Sequence, residues 1–307
     1  MNTHLRRAFL AATFLASTGV SAQAQEEISV TLVNGHPPVF LWVKHLTETY
    51  IPTVNKALEG SGYTIAWSEA YGGTLAAVGG ELEALEDGLA EVGVVPTVFE
   101  PTALPLQNVS YFTPFSTPDP RLVLETVNAL HESVPGMVDS WERYDVEYLG
   151  GGFALDNYLL MTNFPVESID DLSGRRIAAP GPAVNWLEGT GAVGVAGNLT
   201  TYYNDIQTGV FDGVIVFPTA AAPAKLQEVA PHITITDFGA QYAGSVVANK
   251  PWFDEQPEAV QAALPQIADT WAKAAEADNL PASEVLDAYI GALKEAGAPL
   301  PRDWSQR

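Results

Sequence analysis

The sequence contains no cysteine, few basic residues and, after its first two dozen residues, no apolar run long enough to span a bilayer. Without cysteine, the chain can form neither a disulfide framework nor a thiolate metal site. Catalytic and nucleotide-binding signatures are missing too, since no G-x-S-x-G, H-E-x-x-H or Walker motif is present and no G-x-G-x-x-G follows a predicted strand. The glycines at 189, 191, 194 and 197 are explained more simply by a helix start and a tight turn. The sequence therefore predicts binding without turnover, and no cofactor or metal is expected.

Histidines are also scarce. Of the five in the chain, His4 lies in the N-terminal segment, and no two of the others lie at metal-ligand spacing. For most of them, a solvated or core position is the simpler interpretation. His36 is the exception, because NGHPP stands where a predicted strand ends and a loop facing the other lobe begins.

The N-terminal segment has the pattern of a cleaved signal peptide. MNTHLRR is basic, AFLAATFLASTGV is a short apolar run, and Ala22-Gln23-Ala24 fits the small-x-small rule for cleavage. We therefore expect residues 1–24 to be removed and the mature protein to be periplasmic, beginning near Gln25, with no membrane insertion.

The mature chain is strongly acidic. The chain has 14 basic residues, and removal of the signal peptide would remove two of them, Arg6 and Arg7. The mature chain would then have 12 basic and 37 acidic residues, a net charge of −25. Such a surface repels phosphate backbones and anionic lipid, which argues against binding to nucleic acid or membranes.

Strand and helix patterns alternate along the chain, which predicts an α/β fold with helices on the sheet faces. With 307 residues, 47% of them hydrophobic, we expect two lobes with a cleft between them. Lobe 1 is predicted to comprise 25–150, completed by 241–256, and lobe 2 to comprise 151–240, with helices over 257–307. Three local predictions are more specific: a helix over 118–144, a helix that begins at NWLEGTG (185–191), and a strand TITDFG (234–239) that returns to lobe 1.

Two ordered motifs carry a family resemblance. FPVESIDDLSGRRIAAPG (164–181), followed by DIQTGVFDG (205–213), resembles the solute-binding proteins of tripartite ATP-independent periplasmic (TRAP) transporters, in the dicarboxylate-binding subfamily. The early AYGGTLAAVGGELEALEDGLAEVGV (70–94) is similar to another region of that family. The resemblance implies a two-lobe clamshell braced by long C-terminal helices. It also implies the absence of catalysis, and delivery of a captured solute to a sodium-coupled membrane permease.

The sequence departs from the family at its expected anion anchors. The arginine that usually grips a substrate carboxylate corresponds to Ala178, and a second arginine often found in the family corresponds to Leu159. Thr201 stands where the family often has a glutamate. The two neighbouring arginines, Arg175 and Arg176, are expected to be structural and to pair with Asp170 or Asp171.

Loss of two cationic anchors makes a dicarboxylate an unfavourable solute, because a buried carboxylate without a partner costs several kcal/mol. Aromatic rings and a carboxylate instead suit a small amine or amino alcohol such as ethanolamine, with Asp156 or Glu69 as its charge partner. A monocarboxylate, an aromatic or neutral solute, and a periplasmic hydrolase or isomerase are the alternatives. The predicted ligand-binding residues are His36, Trp42, Glu69, Tyr71, Phe153, Asp156, Tyr158, Trp186 and Phe217.

Overall fold

The computed structural model describes residues 25–266 and ten positions between 287 and 303. The predicted signal peptide and most of the predicted C-terminal helices lie outside the described residues. The described elements form two sheets, each flanked by helices. No helix among them is long and apolar enough to cross a membrane.

The first sheet has the strand order β2-β1-β3-β10-β4. β1 pairs in parallel with β2 and β3, whereas β10 runs antiparallel to β3 and β4. All nine residues of β10 are buried, as expected for a strand inside a covered sheet. The bounds of the five strands are β1 Glu26–Asn34, β2 Tyr63–Tyr71, β3 Val92–Val95, β4 Val146–Leu155 and β10 Gln241–Asn249.

The second sheet has the order β11-β9-β5-β8-β6-β7. β6 pairs in parallel with β7 and β8, and β5 is antiparallel to β8 and β9. Its strands are β5 Leu159–Thr162, β6 Arg176–Ala179, β7 Val193–Ala196, β8 Gly213–Val216, β9 His232–Ile235 and β11 Arg302–Asp303.

The helices cover the sheets. Leu41–His45 (α1), a π-helical segment Leu46–Tyr50 and Ile51–Ala57 (α2) follow one another without a break. The other α-helices are α3 Glu81–Glu86, α4 Pro120–Ser133, α5 Pro135–Glu142, α6 Tyr202–Gln207, α7 Pro218–Ala221, α8 Lys250–Asp254 and α9 Glu258–Ala263. The 3₁₀ segments are Thr97–Phe99, Leu106–Phe112, Ile169–Leu172, Gly181–Leu187 and Leu226–Glu228.

Proline and glycine account for two differences from the predicted helices. The helix expected over 118–144 is interrupted at Val134 (φ −117°, ψ 99°), because a residue before proline is disfavoured in the α conformation. The helix expected to begin at 185 is wrong: a 3₁₀ segment starts at Gly181 and ends at Leu187. Positive φ angles at Gly189 and Gly191 then turn the chain into β7.

The TITDFG prediction is wrong in its placement. The strand is His232–Ile235, and it belongs to the second sheet through β5. Asp237 has a positive φ of 51°, which ends the extended run, and the chain returns to the first sheet only with β10. The predicted return to lobe 1 is therefore made by β10 alone.

Two short connections join the sheets, 156–158 after β4 and 236–240 before β10, and they are bonded to each other. The backbone N–H of Tyr158 donates to Gly239 O at 3.2 Å, and Gly239 N–H donates to Asn157 Oδ1 at 3.0 Å. Adjacent, paired connections of this kind suit a hinge between two lobes. The boundaries of the lobes at 150 and 240 stay a prediction, although β4 continues the first sheet to Leu155.

Candidate functional site

A cavity between the two sheets gathers the loops that follow five parallel strands. His36 follows β1, Pro96 follows β3, Pro180 follows β6, Asn198 follows β7 and Phe217 follows β8. Ligands of open α/β sheets bind beyond the carboxyl ends of the strands. The lining side chains are His36, Trp42, Pro96, Val98, Phe99, Phe153, Leu155, Tyr158, Pro180, Asn198, Leu199, Tyr202, Ile215, Val216, Phe217 and Ala243.

Aromatic rings from both sides meet at this cavity. Trp42 stacks between Phe40 (ring centroids 5.0 Å apart, planes 4° apart) and Phe153 (5.6 Å, 5°). Phe217, which follows a strand of the second sheet, packs against Trp42 at 5.9 Å and against Tyr158 at 5.0 Å. The cavity volume is about 30 Å³, so a solute larger than a few water molecules can enter only if the walls move apart.

His36 is held in the cavity wall by its backbone. Its N–H donates to Asn34 Oδ1 at 2.8 Å, and the preceding Gly35 N–H donates to Glu81 Oε1 at 2.8 Å. The ring itself packs edge-on against Phe40 and Trp42. Burial lowers the pKa of His36 to about 3, so its imidazole is neutral at physiological pH.

Four polar atoms on three cavity-lining side chains are buried without a hydrogen-bond partner in the part of the chain that the structure describes. They are His36 Nδ1, His36 Nε2, Trp42 Nε1 and the Tyr202 hydroxyl oxygen. Such groups are costly to bury unpaired, by about 1–3 kcal/mol each. A bound solute that offers matching groups would therefore be stabilised here.

Trp186 and Tyr158 form an aromatic contact between the two sides, behind the cavity. Trp186 Nε1–H donates to Tyr111 O at 2.8 Å, and the Tyr111 and Tyr158 hydroxyls are hydrogen-bonded at 3.0 Å. Trp186 also stacks on Tyr111 and on Phe238 of the second connection. Tyr158 lines the cavity, whereas Trp186 does not line it and packs edge-on against Tyr158.

Asp156 is buried but does not line the cavity. Thr219 engages both of its carboxylate oxygens, the backbone N–H at 3.2 Å and the hydroxyl in a shorter bond. Burial raises the pKa of Asp156 to about 6, and the bonds from Thr219 oppose that rise. The expected charge partner of an amine is thus already hydrogen-bonded.

Glu69 and Tyr71 lie elsewhere, on the edge strand β2. Glu69 is exposed and accepts a hydrogen bond from the Thr47 hydroxyl. Tyr71 is buried, which raises the pKa of its hydroxyl. The structure does not bring these two predicted contacts to the cavity.

Asp156→Asn should change the pH dependence of stability. Because folding raises the pKa of Asp156 from 3.8 to about 6, the folded state binds the extra proton, and stability falls as pH rises through that window. At about 1.36 kcal/mol per pKa unit the loss is about 3 kcal/mol. Asparagine can still accept from the Thr219 N–H and donate to its hydroxyl. Urea unfolding should therefore show the free energy of unfolding of the variant, relative to wild type, rising by about 2 kcal/mol between pH 4 and pH 7, since part of the loss has already occurred at pH 4.

The exposed Asp87→Asn provides the matched control, and its difference from wild type should stay flat over the same range. If the difference in free energy of unfolding between Asp156→Asn and wild type were also independent of pH, burial would not raise the pKa of Asp156.

Comparison with known proteins decides the family. Residues 64–298 match the bacterial extracellular solute-binding proteins of family 7, DctP. This chain belongs to that family. The C4-dicarboxylate-binding periplasmic protein DctP of Rhodobacter capsulatus is 28% identical over 224 residues, which are 71% of this chain and 64% of that protein. The chain therefore matches somewhat less than two thirds of this relative's length.

Solved structures of TRAP solute-binding proteins share the family 7 fold. One from a marine metagenome, specific for pyroglutamate, has a TM-score of 0.75 at 16% identity, and the match covers 91% of this chain and 88% of that protein's chain. One from Bordetella bronchiseptica with bound mandelate has a TM-score of 0.71 at 23% identity, with coverage of 90% and 85%. The predicted two-lobe α/β fold of a TRAP solute-binding protein is confirmed. The bracing C-terminal helices lie outside the described residues.

The arginines of the family 7 motif lie outside the cavity. The Arg175 guanidinium lies over the Phe164 ring, 4.1 Å from its centroid. Arg176 Nη2–H donates to Gly209 O at 2.7 Å, and Arg176 Nε lies 3.7 Å from an Asp212 oxygen. The predicted pairing with Asp170 or Asp171 is wrong.

The reason lies in the sheet and in a local turn. β6 pairs with β8, which brings the loop before β8, with Asp212, beside Arg176. Asp171 instead caps the turn at Ser168, where it accepts the backbone N–H groups of Glu167 and Ser168. Among the described residues, no lysine or arginine lines the cavity.

Five of the nine predicted residues line the cavity: His36, Trp42, Phe153, Tyr158 and Phe217. Sequence reasoning left Asn198 and Tyr202 out of the predicted set. Both come shortly after the carboxyl end of β7, so the position of parallel strand ends is the signal that could have found them. No group of three or more histidine, aspartate or glutamate side chains in the described part of the chain could hold a metal ion.

Proposed function

We propose that this protein is the extracytoplasmic solute receptor of a TRAP transporter. It captures a small organic solute in the cavity between its sheets and delivers it to a membrane permease. Membership of family 7 supports the receptor role, since its members are solute-binding proteins of transport systems rather than enzymes. Export by a cleaved signal peptide ending near residue 24 belongs to the same proposal.

One observation carries the proposal: aromatic side chains from both sides of a paired hinge meet around one cavity at the strand ends. A solute held there touches both sides only when they are together. It therefore stabilises the closed form and shifts the population towards it. The permease can then distinguish loaded from empty receptor by shape.

The chemical identity of the solute is a separate prediction from the receptor role. The sequence predicts a small amine such as ethanolamine, and that stays a prediction. The engagement of Asp156 by Thr219 gives it little support. The solved relatives named above bind acids, but at their level of identity they speak for the fold alone.

A thermal-shift screen of the purified mature protein across amines, acids, amides and sugars tests the receptor role. Binding should raise the melting temperature progressively with solute concentration, because the free energy of unfolding increases by RT ln(1 + [L]/Kd), while mass spectrometry recovers the solute unchanged. Conversion of a solute into product would contradict the receptor role and indicate a hydrolase or isomerase instead. A screen in which no solute shifts the melting temperature would also count against the proposal.

A further inference from the structure

Resting on the receptor role proposed above, we propose that the solute is an uncharged, single-ring molecule with an amide or hydroxyl group, held by neutral hydrogen bonds to Trp42, Tyr202 and His36. This differs from recognition by a guanidinium.

Among the described residues, none offers an anion in the cavity a cationic partner. Arg175 and Arg176 do not line the cavity and are engaged with Phe164, Gly209 and Asp212. His36 is the titratable base among the described lining residues; its side chain is 3% exposed, and its imidazole is neutral. A carboxylate placed here would be desolvated without an opposite charge, which is strongly unfavourable.

A cation lacks a counter-charge for a similar reason. No aspartate or glutamate is among the lining residues in the described chain, and the nearby Asp156 gives both oxygens to Thr219. Ring faces alone would have to offset the desolvation of an ammonium group. A neutral solute avoids both costs.

The unpaired atoms define the complementary groups. Trp42 Nε1–H can only donate, the Tyr202 hydroxyl can donate or accept, and a neutral imidazole has one donor and one acceptor. All three side chains are at most 4% exposed. A solute that carries both a carbonyl or hydroxyl oxygen and an N–H or O–H would satisfy them together.

Shape favours a single flat ring. Trp42, Phe40 and Phe153 present nearly parallel planes, within 5° of one another in each stacked pair. Of these rings, Trp42 and Phe153 line the cavity with Phe217, and the small closed volume between them suits a thin solute that inserts as the walls part. Because both faces of the indole are covered by Phe40 and Phe153, such a ring would stack on Trp42 only after it has displaced Phe153, and offset stacking is then a favourable arrangement.

Three probes of one ring size and different charge test the proposal: benzamide, benzoate and benzylamine, titrated calorimetrically at pH 7.5. Benzamide should bind saturably and at least about tenfold more tightly than either charged probe. The reason is that burying one uncompensated charge should raise the dissociation constant of the charged probe at least tenfold. Tighter binding of benzoate or benzylamine would overturn the proposal, as would failure of benzamide to bind. Because the broad screen is independent of these probes, the receptor role would survive either result if another solute binds.

Two variants test the assigned atoms. Tyr202→Phe removes only the hydroxyl, and Trp42→Phe keeps an aromatic ring while it removes the indole N–H together with part of the ring surface; each should weaken benzamide binding about five- to tenfold. The matched controls Trp67→Phe and Tyr203→Phe remove groups that bond Asn55 and Glu228 away from the cavity, so the affinity should not change. Benzamide affinity within twofold of wild type in both test variants would overturn the assignment. Benzoate binding that strengthens as pH falls from 8 to 5.5 would point to a protonated His36 and overturn the neutral solute.

Discussion

Gly181→Ala should abolish tight solute binding while leaving the protein folded. Gly181 starts the 3₁₀ segment after β6, and its Cα faces the backbone of Val98 in the loop after β3 on the opposite sheet. A Cβ built at Gly181 would overlap the Val98 carbonyl oxygen, which is backbone and cannot rotate away. The overlap exists only when the two sides are together, so the substitution destabilises the closed form selectively. We expect solute affinity to fall more than tenfold, because apparent affinity scales with the fraction of closed molecules.

Gly189→Ala is the matched control. Gly181 and Gly189 both have positive φ angles, 42° and 80°, so alanine costs about 1–2 kcal/mol of strain at either position. A Cβ at Gly189 meets no atom within 4 Å. Calorimetry with a solute from the screen gives the affinities, and small-angle scattering gives the solute-induced decrease in radius of gyration. Equal affinity of the two variants would show that the contact between Val98 and Gly181 does not limit closure.

Much of the fold follows from local patterns. The alternation in EISVTLVN and the apolar run VGVV are typical of strands, and the structure has β1 and β3 at these positions, because a two-residue period and short apolar runs directly express strand burial. Errors arose where turn chemistry overrode the pattern. The Pro180–Gly181 pair started a helical segment early, and Asp237 in a left-handed conformation ended β9.

The site was predictable where aromatic residues coincide with strand ends. His36, Phe153 and Phe217 are at or beside such ends, and each lines the cavity. The charge partners were not predictable, because they depend on which strands pair. Sequence proximity suggested Asp171 for Arg176, but the sheet supplied Asp212, 36 residues along the chain.

The charge partner predicted for an amine, Asp156, is engaged within the protein for a related reason. The carboxylate was expected to be free to receive a ligand's ammonium group. The chain instead brings Thr219, 63 residues later, to both of its oxygens. An unpaired carboxylate is expensive to bury, so the fold supplies a partner of its own, and a sequence pattern gives no sign of it.

Glu81→Ala should be strongly destabilising, although the residue is not part of the cavity. Glu81 is 0% exposed, and its two carboxylate oxygens accept the backbone N–H groups of Gly35 at 2.8 Å and Gly79 at 2.7 Å. Alanine leaves the buried Gly35 N–H and the partly buried Gly79 N–H without this partner, at a cost of about 1–3 kcal/mol each, with Gly79 at the low end. We therefore expect the free energy of unfolding to fall by about 2–6 kcal/mol in urea titrations at pH 8.

Measurement at pH 8 keeps the carboxylate ionised, since burial raises the pKa of Glu81 to about 7. Glu81→Gln can accept only one of the two N–H groups and should show a smaller loss. Glu83→Ala, an exposed glutamate on the same helix, should change stability by less than about 0.5 kcal/mol. Because Gly35 precedes His36, Glu81→Gln should also weaken solute binding. Full stability of Glu81→Ala would mean that water replaces the carboxylate, and that Glu81 does not fix the loop that carries His36.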